Sequence, residues 1–451
     1  RRSSDLTMGQ LTSIGMKQHY DLGQYFYERY THSHPDTGLV LWDSDKSISQ
    51  QILIESTDMP RTIQSAQSQY LGLVPHPNER IYHHHNNKNG HNKNDKNDKN
   101  SGNDQQQHYV TINVQSEGTC DMYPNFVQCP RLSVLRQRVI ESESYKQFEK
   151  QFAHVKEQVL KNLNLPSFPG WTALYAVFAC RHAHKHTLPH GWTQQLVNSI
   201  TLGAETEYGL LLADEMFLRL SVSPFLKRVK AQMSQVVITT LGQQASSAPS
   251  VVAASGSHRH NRGHGHGHHH RSNNHNNDND NASRDQTIRF SLHSGHDTSI
   301  APLASLLGFY DGKWPRYASN IVLELYEVQK VTVMDDSDGD NDGDDSGDSG
   351  SDERYRHPEK VVKRQTGVTP DSIAKSPSHH HGATEEEHKK SAARSSTRTE
   401  SSFALKIFYD QRDVTAKVCA TLDDSGYCSW ETFDELTEKL IEKEQERQCQ
   451  V

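Results

Sequence analysis

Residues 286–311, QTIRFSLHSGHDTSIAPLASLLGFYD, read as strand, loop and helix. An apolar-alternating run ends at Gly295, and a helical spacing of apolar residues starts a few positions later. His296 and Asp297 stand together between the two, at the carboxyl end of the strand. Helix-start N–H groups at such a place can face an anion. A histidine beside an aspartate could hold a phosphate with one group and give a proton with the other. A surface turn with a helix cap is the other reading of the same dipeptide.

The pattern recurs upstream. QILIE (51–55) is long enough for a strand, and STDMPRTIQSAQSQYLGLV turns into a helix. Thr57 or Asp58 could cap that helix, and Pro60 suits its first position. Arg61 opens it, either as a bidentate phosphate ligand or as a solvated surface cation. Ahead of this unit, GQLTSIGMKQHYDLGQYFYERY (9–30) reads as a helix with Thr12 as N-cap. The order helix, strand, helix predicts an α/β fold.

Between these pieces the pattern is helical only. Residues 131–163 form a long amphipathic run, and a second run from Ala204 is expected to break in two at Pro224. IVLELYEV and FALKIFYDQRDVT are strands expected to pair across an insertion, since loop closure grows only slowly with length. The resulting partition is an α/β core at 1–82, 109–130, 286–334 and 403–451, with a helical cap at 131–243. Three polar tracts, 83–108, 244–285 and 335–402, are too poor in apolar residues to offset ordering entropy and are expected to be disordered. They explain why hydrophobic residues make up only 33% of the 451 residues.

Net charge is −8, with much of the acidic excess in 335–353, so no basic face points to nucleic acid. No apolar run reaches the roughly 18 residues of a membrane span. The sequence begins at Arg1 rather than Met, which predicts a missing start-proximal segment where a signal peptide would lie. Six cysteines, Cys120, Cys129, Cys180, Cys419, Cys428 and Cys449, admit either disulfides or reduced thiols, and none has CxxC spacing. The histidine runs at 83–85, 264–270 and 379–381 could bind metal weakly, but read more simply as solvated insertions. The Asp-rich tract does not match a calcium loop. Asn281–Ala282–Ser283 is a glycosylation sequon.

Taken in order, GQLTSIGMKQHYDLGQYFYERY, ESTDMPRTIQSAQSQYLGLVP, QCPR, HKHTLPHGW, HSGHDTS and WPRYASNIVLELYE closely resemble the histidine acid phosphatases of the prostatic and lysosomal branch. The resemblance implies a phosphoglycerate-mutase-like mixed sheet flanked by helices, with an inserted helical cap and the active site between them. It implies hydrolysis of phosphate monoesters through a phosphohistidine, with no metal or other cofactor. Arg61 then matches the phosphate clamp, His296 a phosphate contact and Asp297 the acid that protonates the leaving alkoxide. Small phosphorylated molecules are the implied partners, homodimerisation is implied by analogy alone, and the compartment is the secretory pathway: extracellular, vacuolar or lysosomal.

The family's RHGxRxP motif, which carries the nucleophilic histidine, belongs upstream of GQLT. Only RRSSDLTM stands there, and no Arg-His-Gly occurs in the sequence. CRHAH (180–184) lies in the cap and HRHNRGH (258–264) in a polar tract. The expectation is a truncated, inactive chain of an active enzyme. A phosphatase-fold binding protein and an inositol- or sugar-phosphate phosphatase are the alternatives. By resemblance Cys129 pairs with Cys449 and Cys419 with Cys428. The third family pair would join Cys180 to the position of Asn320 and cannot form, which leaves pairing of Cys120 with Cys180 open.

Overall fold

The computed structural model describes residues 9–31, 40–42, 50–74, 110–247, 288–334, 360–365, 396–442 and 445–450. The chain enters through α1 (Ser13–Thr31), β1 (Ile52–Thr57), α2 (Pro60–Leu73) and β2 (Ile112–Gln115). Five helices follow: α3 (Arg131–Glu141), α4 (Glu143–Leu163), α5 (Trp171–Ala183), α6 (Gln194–Leu212) and α7 (Glu215–Ser247). Then come β3 (Phe290–Ser294), α8 (Asp297–Leu306), β4 (Ile321–Met334), β5 (Lys360–Gln365) and β6 (Ser396–Tyr409). The end of the chain holds β7 (Arg412–Asp413), α9 (Thr415–Val418), β8 (Cys428–Ser429), α10 (Trp430–Leu440) and α11 (Gln445–Cys449).

Two sheets form. β2, β1 and β3 are parallel, in that order, with Ile54 opposite both Ile112 and Leu292. β5, β4, β6 and β7 are antiparallel, and β8 adds to β6. α1 and α2 lie together on the parallel sheet because glycine allows it. A Cβ on Gly23 would stand 2.0 Å from the Gln69 carbonyl oxygen, and one on Gly72 would stand 2.0 Å from that of Tyr20. Phe26, Tyr30, Ile54, Ala66 and Leu73 fill the resulting layer, with Val322 of β4 packed against them. Glu324 of β4, only 3% exposed, is saturated by Arg29 Nε (2.6 Å) and Nη2 (2.9 Å), Tyr30 Oη (2.7 Å) and Tyr326 Oη (2.6 Å). A buried carboxylate with four donors is stable where an unpaired one is not. This network ties α1 to the second sheet.

The helical region has its own core. Phe148, Phe152, Trp171, Phe178 and Leu196 pack on one another, joined from the sheet side by Ala301 and Trp314. Its helix breaks differ from the sequence expectation. Residues 131–163 divide at Ser142, whose hydroxyl accepts from the Tyr145 N–H at 3.2 Å. The second run divides at Asp214, which accepts from the Phe217 N–H at 3.0 Å. Pro224, in contrast, sits inside continuous α7. Its neighbours Val222, Phe225 and Leu226 are buried in the main core, and that packing outweighs one lost backbone hydrogen bond.

The polar tracts need two corrections. α7 runs to Ser247, past the expected boundary at 243, and strands β5 and β6 occupy 360–365 and 396–402 inside the third tract. β4 runs for 14 residues and pairs with β6 along its whole length and with β5 over Tyr326–Val331, so backbone pairing carries these strands into the tract. Residues 83–108, with the sequon and the histidine runs, lie outside the described residues.

Cys129 is bonded to Cys449 and Cys419 to Cys428. Cys120 and Cys180 are both free, which closes the open pairing. Cys120 is buried in the main core, and Cys180 on α5 lies 3.0 Å from Tyr317 Oη.

Candidate active site

Both parallel strands of interest end at the same edge. β1 leads through Asp58 and Met59 into α2, and β3 leads through Gly295 and His296 into α8. Two helix N-termini and their partial positive charge therefore meet there. The joint is stitched by hydroxyls. Ser294 Oγ donates to the Thr62 carbonyl at 2.8 Å, linking β3 to the first turn of α2. Gly295 leaves room here: a Cβ would stand 2.6 Å from Ser299 Oγ, which accepts from the His296 N–H at 3.0 Å.

Thr57, 1% exposed, holds His296 from β1. Its Oγ1 lies 2.8 Å from Thr62 Oγ1 and 3.0 Å from His296 Nε2. Thr62 directs its own hydroxyl hydrogen to the carbonyls of Thr57 (3.0 Å) and Met59 (2.9 Å). Thr57 therefore donates to Thr62 and accepts from His296 Nε2–H. Tyr123 packs edge-on against the same imidazole, with centroids 5.4 Å apart. Burial above all, and then the charge of Arg61, bring the His296 pKa down to about 4 against the opposing charge of Asp297.

Arg61 is exposed on the first turn of α2, and its charge reaches His296. Asp297 is exposed at the start of α8. Its Oδ1 accepts from the Thr298 N–H at 2.9 Å, and its Oδ2 from Trp314 Nε1 at 2.8 Å. The structure thus brings the three residues read from the sequence to one edge. Thr57, Tyr123 and Trp314 were not read as site residues. Thr57 could have been found, since a hydroxyl at a strand end before a helix is a common anchor, but nothing in the spacing points to Trp314.

One layer below lies a charged cluster. Arg228 of α7 bonds Asp121 with Nε (2.8 Å) and Nη2 (2.9 Å) and also pairs with Glu55. His293 Nδ1 stands 2.8 Å from Glu55 Oε2, close enough to pair though poorly aligned for a hydrogen bond. Burial raises the Glu55 pKa, but His293 and Arg228 outweigh burial and bring it to about 2. On the cap side, a cleft between α1, α5, α6 and residues 316–320 is lined by Tyr25, Tyr175, Arg181, Arg316 and Tyr317. Among the described residues no group of three His, Cys, Asp or Glu could hold a metal, and no helix is long and apolar enough to cross a membrane.

The sequence places this α/β chain in a family of known phosphatases. Residues 3–346 match the Histidine phosphatase superfamily (branch 2), to which this chain belongs. Among its relatives, Counting factor 60 of Dictyostelium discoideum is 27% identical over 324 residues, 71% of this chain and 60% of the relative. Prostatic acid phosphatase of Homo sapiens is 24% identical, covering 70% and 65%, and lysosomal acid phosphatase of Xenopus laevis 23% identical, covering 71% and 59%. The match thus spans about 59 to 65% of these relatives' lengths. The phytase from Citrobacter braakii superposes with a TM-score of 0.45 at 12% identity, over 99% of this chain and 91% of the other.

Proposed function

We propose that this protein is an acid phosphatase that hydrolyses small phosphate monoesters through a phosphohistidine, when its polypeptide includes the RHGxRxP strand. The reading rests on one observation: Thr57 joins the start of α2, which carries Arg61, to His296 by bonds of 2.8 and 3.0 Å. Arg61 then clamps two phosphate oxygens and His296 contacts a third, both favouring the anionic transition state. The nucleophilic imidazole forms an N–P bond as the ester P–O bond breaks, and Asp297 gives its proton to the departing oxygen. Water then attacks phosphorus, gives a proton back to Asp297, and frees phosphate and the imidazole. Specificity for the alcohol falls to the cleft beside Tyr175 and Tyr317.

The two disulfides fit an oxidising compartment, as in the secretory pathway.

The test is acid-quench trapping of phosphoenzyme from a labelled aryl phosphate. Polypeptide carrying RHGxRxP is expected to form it, and Arg61→Ala to lower kcat/KM by at least about 100-fold. Turnover that survives Arg61→Ala contradicts the assignment. A second reading, a protein that binds phosphate without hydrolysing it, is favoured by the lack of Arg-His-Gly in these 451 residues. Phosphate binding with no phosphoenzyme in any natural form of the polypeptide would select it.

A further inference from the structure

Trp314 lies 17 residues beyond Asp297, in the loop between α8 and β4. It is 5% exposed, and its ring belongs to the core of the helical region, against Tyr175 (5.4 Å) and Tyr208 (5.1 Å). The indole N–H nevertheless points out of that core, to Asp297 Oδ2 at 2.8 Å. The backbone holds it there: the Trp314 N–H donates to Glu205 Oε1 of α6 at 3.1 Å, and Lys313 Nζ reaches the other Glu205 oxygen at 3.3 Å. Tyr208, 9% exposed, keeps its hydroxyl without a partner among the described residues; burial first, and then the nearby charge of Asp297, raise its pKa. The carboxyl is therefore gripped on both oxygens, by Thr298 from its own helix and by Trp314 from the cap side.

We propose that Trp314, itself set by Glu205, is a positioning residue for the proton-donating step: its indole N–H orients Asp297 and strengthens its hold as the carboxyl becomes a carboxylate. The inference rests on Asp297 being the acid of the proposed reaction. A hydrogen bond to a charged acceptor is about twice as strong as a neutral one. The Trp314 bond is thus worth more once the proton has left than before, and only such a differential contact speeds the chemical step. The proton passes from Asp297 to the ester oxygen as the P–O bond breaks, and the new carboxylate remains held by the Trp314 and Thr298 N–H groups. Through Trp314 the helical region takes part in setting the acid.

The substitution Trp314→Phe keeps the ring packing and removes the donor. Two measurements decide. In the 451-residue chain, 15N-labelled on its indoles, one of the five tryptophan Nε1–H resonances is expected to move as carboxylates protonate in acid. That resonance should vanish in Trp314→Phe and stop titrating in Asp297→Asn. In phosphoenzyme-forming protein, leaving groups separate positioning from general damage. Trp314→Phe is expected to lower kcat/KM for glycerol 2-phosphate, whose alkoxide needs a proton, by about 10- to 100-fold. The change for 2,4-dinitrophenyl phosphate should stay under about threefold. Equal losses on both substrates, no loss on either, or an acid-shifted indole resonance that survives Trp314→Phe overturn the inference. If Asp297→Asn spares glycerol 2-phosphate, the acid assignment itself fails. If Asp297→Asn is slow and Trp314→Phe is not, only the role of Trp314 falls.

Discussion

At the scale of residues, His296 is the group whose chemistry depends most on its surroundings. Its pKa of about 4 lies below the usual 6.5. Between those values the unfolded chain binds the proton that the folded chain refuses, so stability falls as pH drops through that window. An anion beside the imidazole reverses the preference by stabilising its charged form. Sulfate, which keeps its charge across the range, should therefore raise Tm more at about pH 5 than at about pH 7. The difference should disappear in His296→Ala. A sulfate effect independent of pH would mean that His296 does not meet the anion. Glu55 adds a second acid-sensitive contribution. With its pKa down at about 2, its stabilisation is complete above the ordinary carboxylate range and is lost as pH falls toward 2. The three principal side chains were legible because HSGHDTS and STDMPRT each place a charged residue where a strand turns into a helix. Trp314 was not, because its partnership with Asp297 arises from a loop fold that no local spacing encodes.

Among elements, the breaks between helices were the least legible feature. Proline looked decisive in the sequence, yet a capping side chain at Ser142 and another at Asp214 end the continuity, while Pro224 is carried within α7. A cap acts by satisfying orphan N–H groups, which the apolar period does not reveal. Asp214→Ala is expected to cost about 1 kcal/mol in urea unfolding. The α1–α2 contact should be far less tolerant. In Gly72→Ala the new methyl meets the Tyr20 carbonyl, and separating the helices is expected to cost about 2–3 kcal/mol. Since α2 opens with Arg61, the same variant should weaken anion binding. Unchanged stability would show that the helices do not approach so closely. β1, β3 and the shared parts of β4 and β6, by contrast, followed from their apolar patterns, whereas β2, β5, β8 and the first part of β6 were not read.

For the whole molecule, the α/β order and the split into sheet and helical regions could be read from the sequence, since apolar periodicity survives long polar insertions. The division of the strands into two sheets could not, because pairing is long-range: β1 meets β3 across more than 200 residues. The Cys129–Cys449 bond closes a separation of 320 residues and pins α11 to the start of α3. Its removal by Cys449→Ser should cost about 2–5 kcal/mol, measured by thermal or denaturant unfolding. All of these features matter to function only if they deliver one anion site at the ends of β1 and β3. Calorimetric titration of the 451-residue chain with phosphate at about pH 5 tests that most directly. The account predicts one site per chain, weakened at least about tenfold by Arg61→Ala and by His296→Ala. Binding that neither substitution weakens, or no binding at all, would contradict it.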